Sequence, residues 1–447
     1  MKEQQILQRL ESKLGIRSLN EMQREVLQKT STHKGDIVLL SATGTGKTIA
    51  YTIPVLKALR PSNGRLQALI IAPSRELVIQ IEQVVRSVSQ DYKILSCYGG
   101  HNVFDEKKSL AVTPDIIIST PGRLLDHINR KHVDVYSTNL LVLDEFDKSL
   151  ELGFHDEMGK ILRQMPNLSL QILTSATQID EFPRFLKLRN VLTIDCLQHH
   201  NSPRERMDIQ KVVSAQKDKL DTLWTVLCSM PAESRCIVFL NYRDAVGRVY
   251  DYLSQKGIPV GYYNGALEQI EREKSVEMFS NGSFSVLVST DLGARGLDIQ
   301  NVDYIIHYHL PITKETFTHR NGRAARVDKN GTVYVIVSRD EKIPEYIDFD
   351  GVTEVSEGAE CPLRAKYDTL YFQAGKKEKI SKGDIVGFLL NKGGLQNGEI
   401  GIINSHDHYT LVAVPRSKSR EVLQAVAKEK IKNHKVRISL CRQNQTK

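Results

Sequence analysis

At 447 residues the chain is long enough for about three domains, and its 40% hydrophobic and 26% charged content is that of an ordinary globular protein. No apolar run reaches the roughly 20 residues a membrane helix needs, and residues 1–15 lack the apolar core of a secretory signal, so neither a membrane protein nor an exported one is expected. The net charge of +8 is unevenly placed: residues 376–447 hold 15 Lys and Arg against 6 Asp and Glu, whereas residues 1–375 hold 46 against 47. A charge run is usually a solvated face. Here the whole excess sits in a folded-looking final segment, which points to nucleic-acid binding. The six cysteines (Cys97, Cys196, Cys228, Cys236, Cys361 and Cys441) include no CxxC pair and no ligand-like His spacing, so reduced thiols in a cytoplasmic protein are expected.

In chain order, short β-rich apolar runs at residues 36–40, 68–72, 92–96, 115–119, 140–144 and 171–174 alternate with helical stretches such as 76–89. Runs of this kind, bounded by turn residues, predict buried parallel strands, and the alternation predicts a doubly wound α/β lobe. The polar stretch 198–206 reads as a linker. The pattern then restarts with runs at 236–240, 285–289, 302–306 and 332–337. Two lobes joined by a hinge make a cleft, and ligands favour such clefts. In the tail, 384–390 reads as a strand, 394–399 as a short helix, 401–403 and 410–414 as strands, 420–429 as a helix and 436–440 as a strand. That order, βαββαβ, is ferredoxin-like. The expected domains are a first lobe over 1–200, a second over 207–360 and a small α+β domain over 376–447.

Ser41-Ala-Thr-Gly-Thr-Gly-Lys-Thr48 follows a predicted strand and precedes a predicted helix, the context a phosphate-binding loop requires. Gly44 and Gly46 let backbone N–H groups approach phosphate oxygens, with Thr43 and Thr45 completing the loop. Lys47 is expected on the β- and γ-phosphates and Thr48 on Mg²⁺. Ser41 replaces the first glycine of the general pattern. A second apolar strand ends in Asp144-Glu-Phe-Asp147, where Asp144 would hold Mg²⁺ and Glu145 would activate the attacking water. In the second half, His319-Arg-Asn-Gly-Arg-Ala-Ala-Arg326 carries three arginines. Alone this is a solvated face as readily as a site; opposite a phosphate loop, Arg323 and Arg326 become arginine-finger candidates.

The ordered set resembles DEAD-box RNA helicases over about residues 1–350. It comprises the phosphate loop, Pro73-Ser-Arg-Glu-Leu77, Gly99-Gly100, Thr120-Pro-Gly-Arg123, Asp144-Glu-Phe-Asp147, Ser175-Ala-Thr177, Gln269-Ile-Glu-Arg272, Ser289-Thr-Asp291, Ala294-Arg-Gly-Leu-Asp298 and residues 319–326. The resemblance implies two RecA-like lobes, ATP and Mg²⁺ as cofactors, and RNA-stimulated hydrolysis. It implies that Ser175, Thr177, Asp147 and His319 couple hydrolysis to lobe movement, and that Gly296 and Asp298 face the nucleotide. It places Arg75, Gly100, Thr120, Arg123, Gln269, Arg272, Thr290 and Arg295 along the RNA path. Such groups grip phosphates and 2′-hydroxyls without reading sequence.

The chain departs from the family at several points. Phe146 stands where the name-giving motif has alanine, and Ala324 and Ala325 replace a Thr and a Gly. The adenine-reading segment keeps Gly15 and Gln23 but lacks its aromatic and proline, and Ile6 stands where an upstream aromatic would stack. The tail resembles the C-terminal RNA-binding domain of bacterial DbpA-type helicases, an RRM-like fold, through Lys379-Ile-Ser-Lys-Gly-Asp-Ile-Val-Gly387, Gly398-Glu-Ile-Gly401 and Lys430-Ile-Lys432. The aromatic-rich strand signature of RNA-recognition folds is missing, and Phe388 and Tyr409 read as core or stacking residues alike. Lys392, Arg416, Lys418, Arg420, Lys430, Lys432, Lys435 and Arg437 are the candidate RNA contacts. The resemblance implies a monomer anchored on a hairpin of 23S-type ribosomal RNA in the pre-ribosomal large subunit. The rival readings are an RNA clamp with weak or lost ATPase, a general mRNA or cold-shock helicase, and a DNA translocase.

Overall fold

A computed structural model describes residues 3–42, 44–100, 103–179, 181–197, 207–291, 302–324, 331–354 and 360–443. They fall into two compact units, one up to Leu197 and one from Met207 onward. The predicted linker lies outside the described residues.

The first unit is built on a seven-stranded parallel sheet. Its strands are β1 (Ile37–Leu40), β2 (Ala68–Ile71), β3 (Ile94–Cys97), β4 (Ile116–Ser119), β5 (Leu140–Leu143), β6 (Leu170–Ser175) and β7 (Leu192–Asp195), in the order β3-β4-β2-β5-β6-β1-β7. The strand side chains alternate between two cores. Ile37, Leu39, Ile70 and Val142 join one cluster, and Val38, Leu40, Ile71 and Leu143 join the other. This two-sided burial explains why the strands read as continuous apolar runs rather than alternating ones. Each buried aliphatic side chain contributes roughly 1.5–3 kcal/mol. The covering helices are written as plainly. In Arg75–Val88, Leu77, Val78, Ile81, Val85 and Val88 form one buried stripe, and the Ser74 hydroxyl caps the start by accepting from Leu77 N.

The second unit repeats the plan. Its strands β8 (Met207–Ser214), β9 (Cys236–Phe239), β10 (Val260–Tyr263), β11 (Val286–Ser289), β12 (Tyr304–His307), β13 (Gly331–Ser338) and β14 (Gly351–Val352) lie in the order β10-β11-β9-β12-β13-β8-β14. Across the two sheets, β7 of the first unit and β8, β10 and β14 of the second were not expected from the sequence.

The same unit carries the small domain, a four-stranded antiparallel sheet of order β16-β17-β15-β18 formed by β15 (Tyr367–Phe372), β16 (Ile403–Ser405), β17 (Thr410–Pro415) and β18 (Ile438–Leu440). The βαββαβ order stands, but its first half is shifted. The segment expected as the first strand is the helix Lys382–Asn391. A capping box between Ser381 and Asp384 starts it, and Ile385, Phe388 and Leu389 are buried at helical spacing. The β-branched Ile385-Val386 pair misled the strand reading. The true first strand precedes the charge boundary at Lys376. Residues 394–399, expected as a helix, contain none; 397–399 form a turn, and Gly394 and Gly398 have φ of 69° and 91°. Phe388 is a core residue, and so is Tyr409, which lies against the lobe.

The small sheet is fastened to the lobe it follows. Leu370 and Phe372 of β15 face the domain's own core, so Thr369 and Tyr371 face the other way. Thr369 Oγ1 accepts from Asn281 Nδ2 at 2.8 Å and pairs with Ser283 Oγ at 2.8 Å, all buried. Tyr409 donates to Glu273 (3.2 Å), His406 pairs with Glu277 (2.8 Å) and Lys274 lies over the Tyr371 ring. Met278 packs with Tyr409, Leu411 and Cys441.

Candidate nucleotide and RNA sites

The carboxyl ends of the first sheet divide the chemistry. Neighbouring strands β5, β6 and β1 lead into Asp144, Ser175 and the glycine loop, while β3, β4 and β2 lead into Gly99-Gly100, Thr120 and Arg75. Ligand sites of open parallel sheets lie at these ends.

The loop 41–46 joins β1 to the helix Lys47–Ala58, whose N-terminal residue before the first turn is Gly46. Gly44 and Gly46 have φ of 80° and 86°, a left-handed backbone that side chains disfavour. A Cβ on Gly46 would also lie 2.4 Å from Gln23 Nε2. Gln23 is a structural part of this loop: its Nε2 donates to Gly46 O (3.2 Å) and its Oε1 accepts from Asn20 N (3.0 Å). Asn20 Nδ2 donates to Thr45 O at 2.8 Å. The Gln23 amide therefore keeps only one donor and one acceptor direction for a base edge. Ile6 is fully buried in the core with Leu10 and Val26, so it takes the place of no stacking partner. Lys47 folds back on the loop, donating to Ser41 O (2.6 Å) and Ala42 O (3.1 Å).

Asp144 is buried, and burial holds its carboxyl above the usual carboxylate range. Thr174 donates to it at 2.5 Å and Tyr51 at 3.0 Å, and Thr48 reaches the same tyrosine hydroxyl. Lys47 also lowers its pKa electrostatically. A divalent cation beside Thr48 and Asp144 would offset the remaining desolvation, and hydroxyl plus carboxylate oxygens suit Mg²⁺. The donor set thus fits a magnesium-bound phosphate. Glu145 sits at φ 45°, ψ 55°, strained for a non-glycine residue, with its N–H held by Thr174 Oγ1 at 3.0 Å. Phe146 is fully buried in the core beneath, which accommodates the larger side chain without moving the flanking acids to the surface. Asp147 accepts from Ala176 N (3.2 Å) and Thr177 Oγ1 (3.1 Å), and Ser175 Oγ donates to Thr177 O, so these residues form one cluster.

On the other half of the edge, Thr120 precedes the helix Pro121–Asn129, and Arg123 Nε donates to Tyr98 O at 3.2 Å. The Arg75 side chain covers Gly99, and Gly100 has φ 100°. In the second unit, Gln269 opens the helix Gln269–Ser280, Arg272 clamps the preceding turn through Leu267 O and Gly265 O, and Thr290 N donates to Tyr263 O. His319 and Arg323 are both buried. Arg320, the first arginine of that cluster, is fully buried and structural. It donates to Asp291 (2.5 Å), Asn241 Oδ1 (2.7 Å) and His309 O (2.9 Å). Thr43, Arg295, Gly296, Asp298 and Arg326 lie outside the described residues.

Sequence reading missed Tyr51, Thr174 and Asn20. Only Asn20 left a signal, the Asn-x-x-Gln capping pattern with Gln23. In the tail, Lys392, Arg416, Lys418 and Lys432 are ion-paired with Glu429, Asp368, Glu399 and Asp384. Arg420, Lys430, Lys435 and Arg437 are exposed with no ion pair among the described residues.

Comparison with known proteins decides the family. Residues 20–185 match the DEAD/DEAH box helicase model, 217–328 the helicase conserved C-terminal domain and 369–440 the DbpA RNA binding domain. The chain is 31% identical to the ATP-dependent RNA helicase DbpA of Escherichia coli, with 96% of each chain covered. It belongs to the DbpA family of DEAD-box RNA helicases. The DbpA helicase of Bacillus subtilis is 28% identical, with 97% of each chain covered. Among solved structures, Saccharomyces cerevisiae Dbp5 bound to RNA and ADP BeF3 is similar with TM-score 0.66 and 25% identity, covering 75% of this chain and 88% of that one. The chain is thus an ATP-dependent RNA helicase with two RecA-like lobes and an RNA-binding domain. No helix among the described residues is long and apolar enough to cross a membrane.

Proposed function

We propose that this helicase separates short duplexes in ribosomal RNA during large-subunit assembly, held there as a monomer in the cytoplasm by its C-terminal domain. The observation that carries this reading is a DbpA-type RNA-binding domain in the final segment, residues 376–447, which holds the entire positive excess of the chain. Lys47 and the loop 41–46 cradle the phosphates, Thr48 and Asp144 hold Mg²⁺, and Glu145 orients water. Arg323 and Arg326 neutralise the charge of the transition state, and Gly296 and Asp298 face the nucleotide. Ser175, Thr177, Asp147 and His319 relay hydrolysis to the lobes. Gln23 reads the base with the hydrogen-bonding capacity the loop leaves it. The core path of Arg75, Gly100, Thr120, Arg123, Gln269, Arg272, Thr290 and Arg295 grips backbone, while the tail lysines choose the RNA. Exposed Arg420, Lys430, Lys435 and Arg437 carry most of the tail contact, because their charges are not already neutralised.

The test is ATP hydrolysis against titrations of a ribosomal hairpin fragment and an unrelated RNA of equal length. A lower half-saturation for the ribosomal RNA supports the reading. Equal values for both would favour a general RNA helicase, and no hydrolysis with either would favour a clamp.

A further inference from the structure

Three segments assigned to the RNA path meet at the ends of β3 and β4: the Tyr98–Gly100 turn, the Thr120–Arg123 turn and Arg75. The side chain that joins the first two of these belongs to none of the motifs named above. Glu106, on the helix Val103–Leu110, is only 9% exposed. Its Oε1 accepts from Tyr98 N at 3.3 Å, and its Oε2 accepts from His127 Nε2 at 2.7 Å and lies 3.4 Å from Arg123 Nε. Arg123 Nε also donates to Tyr98 O. His127 is fully buried, with Nδ1 3.1 Å from His132 Nδ1. One carboxylate therefore holds a backbone turn, a guanidinium and a ring.

Removing a carboxylate from water is costly unless it is paired and hydrogen-bonded, and Glu106 is both. Cys97 Sγ, a Glu106 oxygen and a ring nitrogen of His127 lie within 4.8 Å of one another, a spacing that could suit a metal ion. The Arg123 guanidinium on the same carboxylate repels a cation there and already supplies the positive charge. What the arrangement does achieve is orientation. A long arginine loses rotamer entropy when it grips a phosphate, and fixing it beforehand reduces that cost.

We propose that Glu106 is a positioning residue for RNA binding: it holds Arg123 and the Tyr98–Gly100 turn ready without touching RNA. The proposal rests on the reading of Arg123 as an RNA contact. It is tested in the full-length protein with Glu106→Gln, Arg123→Gln and the double variant, measuring half-saturating RNA, ATP turnover at saturating RNA and melting temperature. Gln keeps the size and the acceptor for Tyr98 N–H. Arg123→Gln is expected to raise half-saturating RNA by roughly 10-fold or more, the scale of one charge-assisted contact. Glu106→Gln is expected to raise it about 3- to 10-fold, with saturated turnover within about twofold, as a lost preorganisation would. The double variant should be no worse than Arg123→Gln alone, because both changes remove one interaction. Additive effects, or an unchanged half-saturation in Glu106→Gln beside a raised one in Arg123→Gln, overturn the proposal. No effect of Arg123→Gln would overturn the RNA reading of that arginine and the proposal with it.

Discussion

Thr369→Val tests whether the C-terminal domain is a fixed part of the second unit. Valine matches threonine in shape but removes the hydroxyl that Asn281 Nδ2 and Ser283 Oγ share, both at 2.8 Å and both in buried residues. Each buried group left without its partner costs about 1–3 kcal/mol, so the loss should be about 2–4 kcal/mol if one group finds partial compensation. For a unit of this size that corresponds to a fall in melting temperature of roughly 4–16 °C. The domain's own core, with Leu370 and Phe372, is untouched by the change. Differential scanning calorimetry should show the transition of residues 207–443 shifting, and limited proteolysis should release the tail fragment sooner. If the variant melts and digests as the wild type does, the network is not formed in solution and the fastening of the tail is wrong.

Glu145→Gln should retain ATP binding and slow hydrolysis by about 10²-fold or more, whereas Lys47→Ala should weaken nucleotide binding itself; fluorescent-nucleotide titration and turnover separate the two. His307 is buried beside Arg320, and burial first, then that guanidinium, lowers its pKa to about 3. The unfolded chain therefore binds a proton below about pH 6.5 that the folded chain does not, and stability falls as pH drops, by about 1.4 kcal/mol per unit from this group until the folded pKa is reached. Urea denaturation at pH 7, 6 and 5 should show a shallower slope in His307→Asn. Asp144 runs the other way: its raised pKa means the buried charge costs stability above the usual carboxylate range, so Asp144→Asn should melt higher than wild type at pH 7 without nucleotide, and the gap should shrink towards pH 4.

The sheets of both lobes were legible because buried parallel strands write themselves as apolar runs, as in Leu140–Leu143. The short β10, Val-Gly-Tyr-Tyr, and the late β7, Leu-Thr-Ile-Asp, were missed because neither is a continuous aliphatic run. In the tail, helical spacing at Ile385, Phe388 and Leu389 was overridden by neighbouring β-branched residues, although the Ser381–Asp384 capping box announced a helix. The residues of the glycine loop and the acidic strand end were readable from motif spacing. The partners that orient them, Tyr51 and Thr174 on Asp144, were not, because side-chain contacts across strands leave no local pattern. Glu106 is the same case: its three partners are spread from Tyr98 to His127 and meet only in the fold.

The most direct test of the central claim is RNA-stimulated ATP hydrolysis by the full chain carrying Lys430→Glu, Lys435→Glu and Arg437→Glu. Charge reversal is preferable to removing residues 376–447, which would strand β15 on the lobe without its partner β17. The account predicts that half-saturation by a ribosomal hairpin fragment rises steeply and its dependence on salt flattens by about 0.7 per lost phosphate contact, while an unrelated RNA at high concentration still drives full turnover. Identical half-saturation for both RNAs before and after charge reversal would contradict it.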